Sequence, residues 1–509
     1  MCSILFRETP EAGPVLTAED PPCYRDLYLD QVVDAATAGK KEYDLRPFFD
    51  TLLRDPDDVL YRQEVFRDLE APFLFTSIKS FEEKMRSMRQ RRAFAEKLDY
   101  RYEKKRWLLE AIDAYCAGAS GLARDLGRAE THSRGFSALR DHLDTYVQSE
   151  GFRIMQADAR KLREDLAGIR VTLLIDGPRV KVRRYNSEND HVSEVERTFA
   201  KFRHDAQKSY LVEFQTWGNL NHVDAMVLEC VARLFPEIFS RLDDFCDRNS
   251  GFTDPTIVTF DREVQFYVSY LELLSLLRRE GLPFCYPRVS PTGREISSRQ
   301  GFDLALARKL VIENAPVVPN DFFLRGDDRV IVVTGPNQGG KTTFARTFGQ
   351  LHILAALGCP VPGEEAQLLL VDRVHAHFGK EEQIAELRGK LEDDLVRIHD
   401  ILGQATSRSI VIMNEIFTST TIQDALFLSR SIVEKALERD ALVVLVTFLN
   451  ELATMNRHTV SMVAAVDAHN PLVRTFKVVR GPADGLAYAL TLAALHRLSY
   501  QDITERVRT

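Results

Sequence analysis

Apolar side chains recur at three- and four-residue spacing through much of the first 300 residues. That spacing predicts helices over Lys79–Leu109, Phe136–Ala167, Val192–Tyr210 and Val223–Phe245, with few Pro or Gly breaks inside them. One β signal interrupts the series. Thr172-Leu173-Leu174-Ile175 and Val180-Lys181-Val182 flank Asp176-Gly177-Pro178, which predicts a short hairpin on an Asp-Gly turn. Beyond residue 300 the pattern changes. Arg329–Thr334, Ser409–Met413 and Ala441–Thr447 are apolar runs separated by helical segments. Strands buried on both faces of a parallel sheet read this way, and their alternation with helices implies an α/β sheet. The stretch holding Pro283, Pro287 and Pro291, and the polar residues on to Arg299, read as a linker. The predicted organisation is a mainly helical region, 1–299, with a small β-hairpin insertion, followed by an α/β domain, 300–509.

Composition narrows the classes without naming a chemistry. The chain has 509 residues, of which 45% are apolar and 28% charged. That apolar fraction excludes a disordered chain, and no Gly or Pro bias suggests a fibre. The formal charge is −8, from 67 Lys+Arg against 75 Asp+Glu. Residues 301–509 hold 22 basic and 25 acidic side chains, leaving 45 and 50 for 1–300, so charge does not separate the two parts. The acidic total argues against a protein coated with basic charge but leaves room for a local nucleic-acid patch. The longest apolar stretches, Ala441–Leu449 and Leu486–Leu495, are far shorter than the ~20 residues of a membrane helix. Met1–Glu11 carries Arg7, Glu8 and Glu11 and does not read as a signal peptide. The seven Cys are scattered with no CxxC pair, so neither a zinc site nor a disulfide framework is indicated. A cytoplasmic protein with no membrane segment is expected.

The sharpest motif is Gly335-Pro336-Asn337-Gln338-Gly339-Gly340-Lys341-Thr342, with Thr343 after it. It fits G-x-x-x-x-G-K-[ST], follows a predicted strand and opens a predicted helix, which is the context the motif requires. Glycines let backbone N–H groups close around phosphate oxygens, and the helix N-terminus adds partial positive charge. Lys341 would reach the β- and γ-phosphates of ATP, and the Thr342 hydroxyl would ligand Mg2+. A second element lies 73 residues beyond Lys341, where the run Ile410–Met413 ends in Asn414 and Glu415. An Asp in the first of these places normally holds the Mg2+ shell, and a following Glu polarises the attacking water. Asn414 can hydrogen-bond a bound water but supplies no charge; Glu415 is the candidate general base.

With both motifs stated, the block Thr334–Thr343 resembles the phosphate loop of the MutS family of DNA mismatch repair ATPases, T-G-P-N-M-G-G-K-S-T. The resemblance continues through Gly358-Cys359-Pro360-Val361-Pro362 (G-x-x-V-P) and Val371-Asp372-Arg373-Val374 (I-D-R-I), with Phe378-Gly379 after it. Asn414-Glu415-Ile416 with Thr420, Thr421 and Asp424 is similar to D-E-I-G-R-G-T-S-T-x-D-G. Val318-Pro319-Asn320-Asp321 is similar to the V-P-N-D segment beside the nucleotide base, and Ala483-Asp484-Gly485-Leu486 to the start of the family's C-terminal helical dimerisation element. The match spans about residues 300–509. Before that it is weak, with Leu60–Val65 similar to the start of the core and lever domain. The resemblance implies an ABC-type, MutS-like P-loop NTPase domain after a core/lever region, a homodimer with two composite ATP sites, Mg2+, and DNA as partner. Asn337 and Asn320 would contact the nucleotide. At this length it implies a short form without the mismatch-sensor and connector domains.

Departures from the family pattern bear on turnover. The family's metal-holding Asp is Asn414 here. Its signature Ser is Gly389, its G-R-G is Phe417-Thr418-Ser419, and the His of its T-H-Y switch is Phe448. ATP binding is thus better supported than hydrolysis, and a nucleotide-gated scaffold that recruits protein partners is the second reading. An ATP-binding-cassette subunit is a third, but no L-S-G-G-Q occurs.

Weaker features complete the reading. Residues 84–106 carry ten basic side chains with interleaved aromatics, which reads as a phosphate-backbone track or a solvated helix face. Arg179, Lys181, Arg183 and Arg184 make the hairpin basic. His375-Ala376-His377 places two His on one side of a strand, without further ligands in sequence. Glu381-Glu382 and Glu392-Asp393-Asp394 are carboxylate clusters. Phe6-Arg7-Glu8 spells the family's mismatch wedge by chance.

Overall fold

In the computed structural model the described residues are 3–7, 16, 21–177, 179–186, 222–292, 295–379, 390–467, 473–483, 496–498 and 500–508. The predicted helix Val192–Tyr210, Glu381-Glu382, Gly389 and Asp484-Gly485-Leu486 lie outside them. Contacts divide the chain into two units, one of residues 72–130 and 138–261, the other of 1–71, 131–137 and 262–509. This division groups residues by packing and does not follow the chain-order boundary at 299/300.

The first unit is helical. Where periodicity predicts one helix over Lys79–Leu109, two form, Pro72–Glu96 and Arg101–Leu126, broken where Tyr100 takes an extended backbone. They pack side by side, and a Cβ added to Gly118 would sit 3.2 Å from Lys84 Cβ. The stretch Phe136–Ala167 likewise breaks at Ser149, whose side chain accepts from Phe152 N to start Glu150–Ala167. Val223–Phe245 breaks before Pro236, which opens Pro236–Arg248 at a position where the missing N–H costs nothing. Strands β1 (Val171–Asp176) and β2 (Arg179–Arg184) pair antiparallel as the predicted hairpin. The basic run is largely spent on internal ion pairs: Arg86–Glu82, Arg89–Asp261, Arg91–Glu110, Arg92–Glu96, Arg101–Asp243, Lys105–Asp243 and Arg106–Glu110.

The second unit carries the sheets. The expected linker is in fact woven into them. Strand β3 (Phe284–Cys285) pairs with β8 (Val361–Pro362). Strands β4 (Arg288–Ser290), β5 (Glu295–Gly301), β6 (Asn320–Arg325) and β9 (Glu365–Leu369) form a mixed sheet in the order β4–β9–β5–β6. Pro283 and Pro287 precede strands, where no ladder N–H is needed, and the alternating burial of β5 buries Ile296 and Ser298. The larger sheet runs β10 (Arg373–Phe378), β11 (Ser409–Asn414), β12 (Leu442–Val446), β7 (Val330–Thr334), β13 (Thr459–Val466) and β14 (Arg474–Arg480). Every pair but β13–β14 is parallel. Val330–Thr334 and Leu442–Val446 are buried at every position, as their continuous apolar runs require.

Residues 3–7 are packed into this unit. Ser3 Oγ and Ile4 N donate to the buried Glu263 carboxylate, and Tyr61 and Tyr267 hydroxyls donate to Ser3 O and Ile4 O. The fully buried Arg62 donates from Nε to Leu5 O and from Nη1 to Leu357 O, just past the helix Lys341–Ala356. A cation at a helix C-terminus meets carbonyls that lack helical partners. Phe6 lies against the Arg62 guanidinium and Arg7 pairs with Asp55, Asp57 and Asp58, so neither side chain is free to wedge into a base stack. No helix among the described residues is long and apolar enough to cross a membrane.

Candidate functional site

Parallel pairing brings the two sequence motifs to one edge. Thr447 N donates to Val333 O and Glu415 N to Val446 O, so the C-terminal ends of β7, β12 and β11 lie side by side. Ligands of open parallel sheets sit outside these strand ends.

The loop after β7 turns tightly. Gly335 and Gly340 have φ of 115° and 92°, and Gln338 is left-handed at 60°. A Cβ on Gly335 would sit 3.0 Å from Ala464 N and O, and one on Gly339 would sit 3.0 Å from Pro336 O. Gly340 caps the helix Lys341–Ala356, and its own missing Cβ leaves room 3.4 Å from Phe476 O. The cradle is therefore one that side chains would fill, and its backbone suits phosphate oxygens.

Lys341 is 4% exposed, and Nζ donates to Gly335 O at 2.9 Å, to Asn337 Oδ1 at 3.2 Å and to Pro336 O at 3.4 Å. Its Nζ stands 3.6 Å from Glu415 Oε1. Burial pushes the Lys341 pKa down, and Glu415 opposes that shift. Thr342 Oγ1 donates to Asn414 Oδ1 at 2.9 Å, joining the phosphate loop to the end of β11. Thr343 Oγ1 faces Arg346, whose Nε donates to the buried Asp303. Glu415 has φ of 52° and a half-exposed side chain. A left-handed backbone at a non-glycine residue is uncommon and concentrates at functional sites.

Asn320 is brought to the site indirectly. Its Nδ2 donates to Phe476 O at 3.2 Å and its Oδ1 accepts from Val478 N at 2.7 Å, so the amide staples β6 to β14. Phe476, which sequence reasoning missed, is 48% exposed, has φ of 57° and lies against Gly340. An aromatic in a strand reads as core from sequence, and only its backbone contact with Gly340 shows it at the mouth of the loop. Arg474, from the same strand, donates from Nε to Asn337 O at 3.2 Å. Phe448, in the place of the family's switch His, is 49% exposed just past β12. His377 Nε2 is 2.8 Å from Asp394 Oδ1, which ties β10 to the helix Lys390–Gln404. Among the described residues no group of His, Cys, Asp and Glu is placed to hold a metal by itself.

Residues 331–507 match the family model of MutS domain V. Over this segment the chain is similar to the MutS family. The MutS domain V match begins inside β7 and takes in the phosphate loop, Asn414, Glu415 and Phe476. The DNA mismatch repair protein MutS of Thermotoga maritima is 26% identical over 239 residues, 46% of this chain and 29% of the relative. That of Erythrobacter litoralis is 33% identical over 211 residues, 39% of this chain and 24% of the relative. That of Thermotoga petrophila is 26% identical over 231 residues, 44% and 28% respectively. The matches thus span less than a third of each relative's length.

Proposed function

We propose that this chain is a MutS-like ATP-binding protein that couples nucleotide to DNA in repair or recombination. The loop geometry supports the nucleotide half. A glycine cradle, a buried Lys341 and the Thr342–Asn414 bond converge at one sheet edge. Domain V similarity to mismatch repair proteins supports the DNA half.

In this reading residues 1–299 serve as core and lever, and 300–509 as the ATPase domain with a C-terminal dimerisation element. The active form is a homodimer with two composite sites. Backbone N–H groups of Gly339, Gly340 and Lys341 bind phosphate, with Gly335, Pro336, Asn337 and Gln338 shaping the turn. Lys341 exchanges its loop oxygens for phosphate oxygens, and Phe476 offers its ring to the nucleobase, held by Asn320. Mg2+ at the Thr342 hydroxyl and Asn414 amide would neutralise phosphate charge. Glu415 accepts the proton of the attacking water.

A second reading is a nucleotide-gated scaffold that holds ATP without turnover and recruits protein. The neutral Asn414, Phe448 in place of the switch His, and the internal pairing of the basic helices favour it. Steady-state phosphate release with and without DNA separates the two, together with gel binding over duplex, mismatched, branched and single-stranded DNA at two salt levels. DNA-stimulated release ends the scaffold reading; binding to none of these DNAs ends the first.

A further inference from the structure

We propose that ATP binding at this loop is nearly independent of Mg2+, because Asn414 stands where a carboxylate would tie the cation to the site. The inference rests on the nucleotide reading above and concerns the metal response of that same site.

Thr342 Oγ1 and Asn414 Oδ1 are hydrogen-bonded to each other at 2.9 Å, and both side chains are neutral. Asn414 ends β11 in register with Val446 and Phe378, so its place is fixed by parallel pairing on both sides. The neighbouring carboxylate, Glu415, stands 3.6 Å from the Lys341 ammonium and is matched by its charge.

A carboxylate at position 414 would act twice. With a divalent cation present it would attract the metal and hold the metal–nucleotide complex. Without the cation it would face the β- and γ-phosphates as a like charge, at a separation where Coulomb energies are large. Both effects make affinity depend on metal, and both vanish when the oxygen is an amide's. The phosphates keep partners that need no metal: the Lys341 ammonium, the N-terminus of Lys341–Ala356, and the positive field of Arg474, whose Nε donates to Asn337 O. The charge that Asn414 removes is therefore the charge that would make the cation obligatory.

The test titrates the full chain with a fluorescent ATP analogue in excess MgCl2 and in excess EDTA. The wild-type dissociation constant is expected to differ by less than about fivefold between the two, and Asn414→Asp to bind at least about tenfold more tightly with Mg2+. Asn414→Ala should stay insensitive, which separates the missing charge from a disturbed fold. A wild-type ratio of fivefold or more, or an Asn414→Asp variant that ignores the metal, overturns the inference. Absence of ATP binding by the wild type under both conditions instead removes the nucleotide reading on which it rests. If Asn414→Asp fails to fold, the wild-type ratio alone decides.

Discussion

Lys341 Nζ stands 3.6 Å from Glu415 Oε1 while donating to three oxygens of its own loop. Burial lowers the Lys341 pKa, and the Glu415 charge opposes that shift. Replacing Lys341 removes the cation and leaves the loop oxygens without their donor. Lys341→Ala should weaken ATP binding by about 10- to 100-fold, the range of a charge-assisted hydrogen bond or two. Equilibrium titration with a fluorescent ATP analogue reads this directly.

Glu415→Gln keeps the side-chain shape and removes the base. Nucleotide affinity should hold or rise, since Lys341 loses its competing partner. Phosphate release should fall by about 100-fold or more, the usual weight of a positioned base. Release at the parental rate would show that Glu415 is not the base.

Phe476 sets its backbone carbonyl beside Gly340 in a left-handed conformation and leaves its side chain half exposed. Stacking on a base is worth about 1–3 kcal/mol. Phe476→Ala should cost ATP affinity on that scale, Phe476→Tyr should preserve it, and GTP should lose as much as ATP because every base has a π-face. Parallel titrations of the three proteins with both nucleotides check this.

Much of this candidate site was legible in sequence because a phosphate-loop motif is a contiguous pattern. Gly335 through Thr343 must be consecutive, and the strand before and helix after follow from their own apolar periods. Asn414 and Glu415 were legible as the end of an apolar run. Phe476 and the stapling role of Asn320 were not, because they arise from side-chain bonds between β6 and β14, strands of different sheets, across 156 residues. The Pro-rich stretch misled for a related reason. Pro283 and Pro287 sit just before strands, and short edge strands look like linker until their partners β8 and β9 are known. The helical texture was visible, but the breaks at Tyr100 and Ser149 depend on local backbone choices that periodicity averages over.

His352 lies wholly buried in the helix Lys341–Ala356, with Nδ1 2.7 Å from Phe348 O. Burial lowers its pKa from 6.5 to about 4. Between those values the unfolded chain takes up a proton that the folded chain refuses. The stability contributed by the neutral imidazole is thus complete above pH 6.5 and lost as pH falls toward 4, by about 3 kcal/mol at most. Urea unfolding across this window should show a shallower pH dependence for His352→Phe than for the wild type.

Arg62 gives its guanidinium to Leu5 O and Leu357 O from a position with no solvent exposure. Arg62→Met keeps the volume and leaves both carbonyls without this donor, at a cost of about 3 kcal/mol. Hydrogen exchange should quicken together in residues 3–7 and near 354–359. Faster exchange at one of these alone would mean that Arg62 does not join them.

That junction also orders the making of the protein. The seat of residues 3–7 is lined by Tyr61, Arg62, Glu263 and Tyr267, with Leu357 completing Arg62's bonding. A ribosome must therefore add some 350 residues before the segment near the beginning of the sequence finds its full set of partners. Before Glu263 is added, residues 3–7 have only Tyr61 and Arg62 of that seat, and chain closure over the longer separation is slow. The seat of residues 3–7 therefore closes only after the helix that follows the glycine-rich loop has been made.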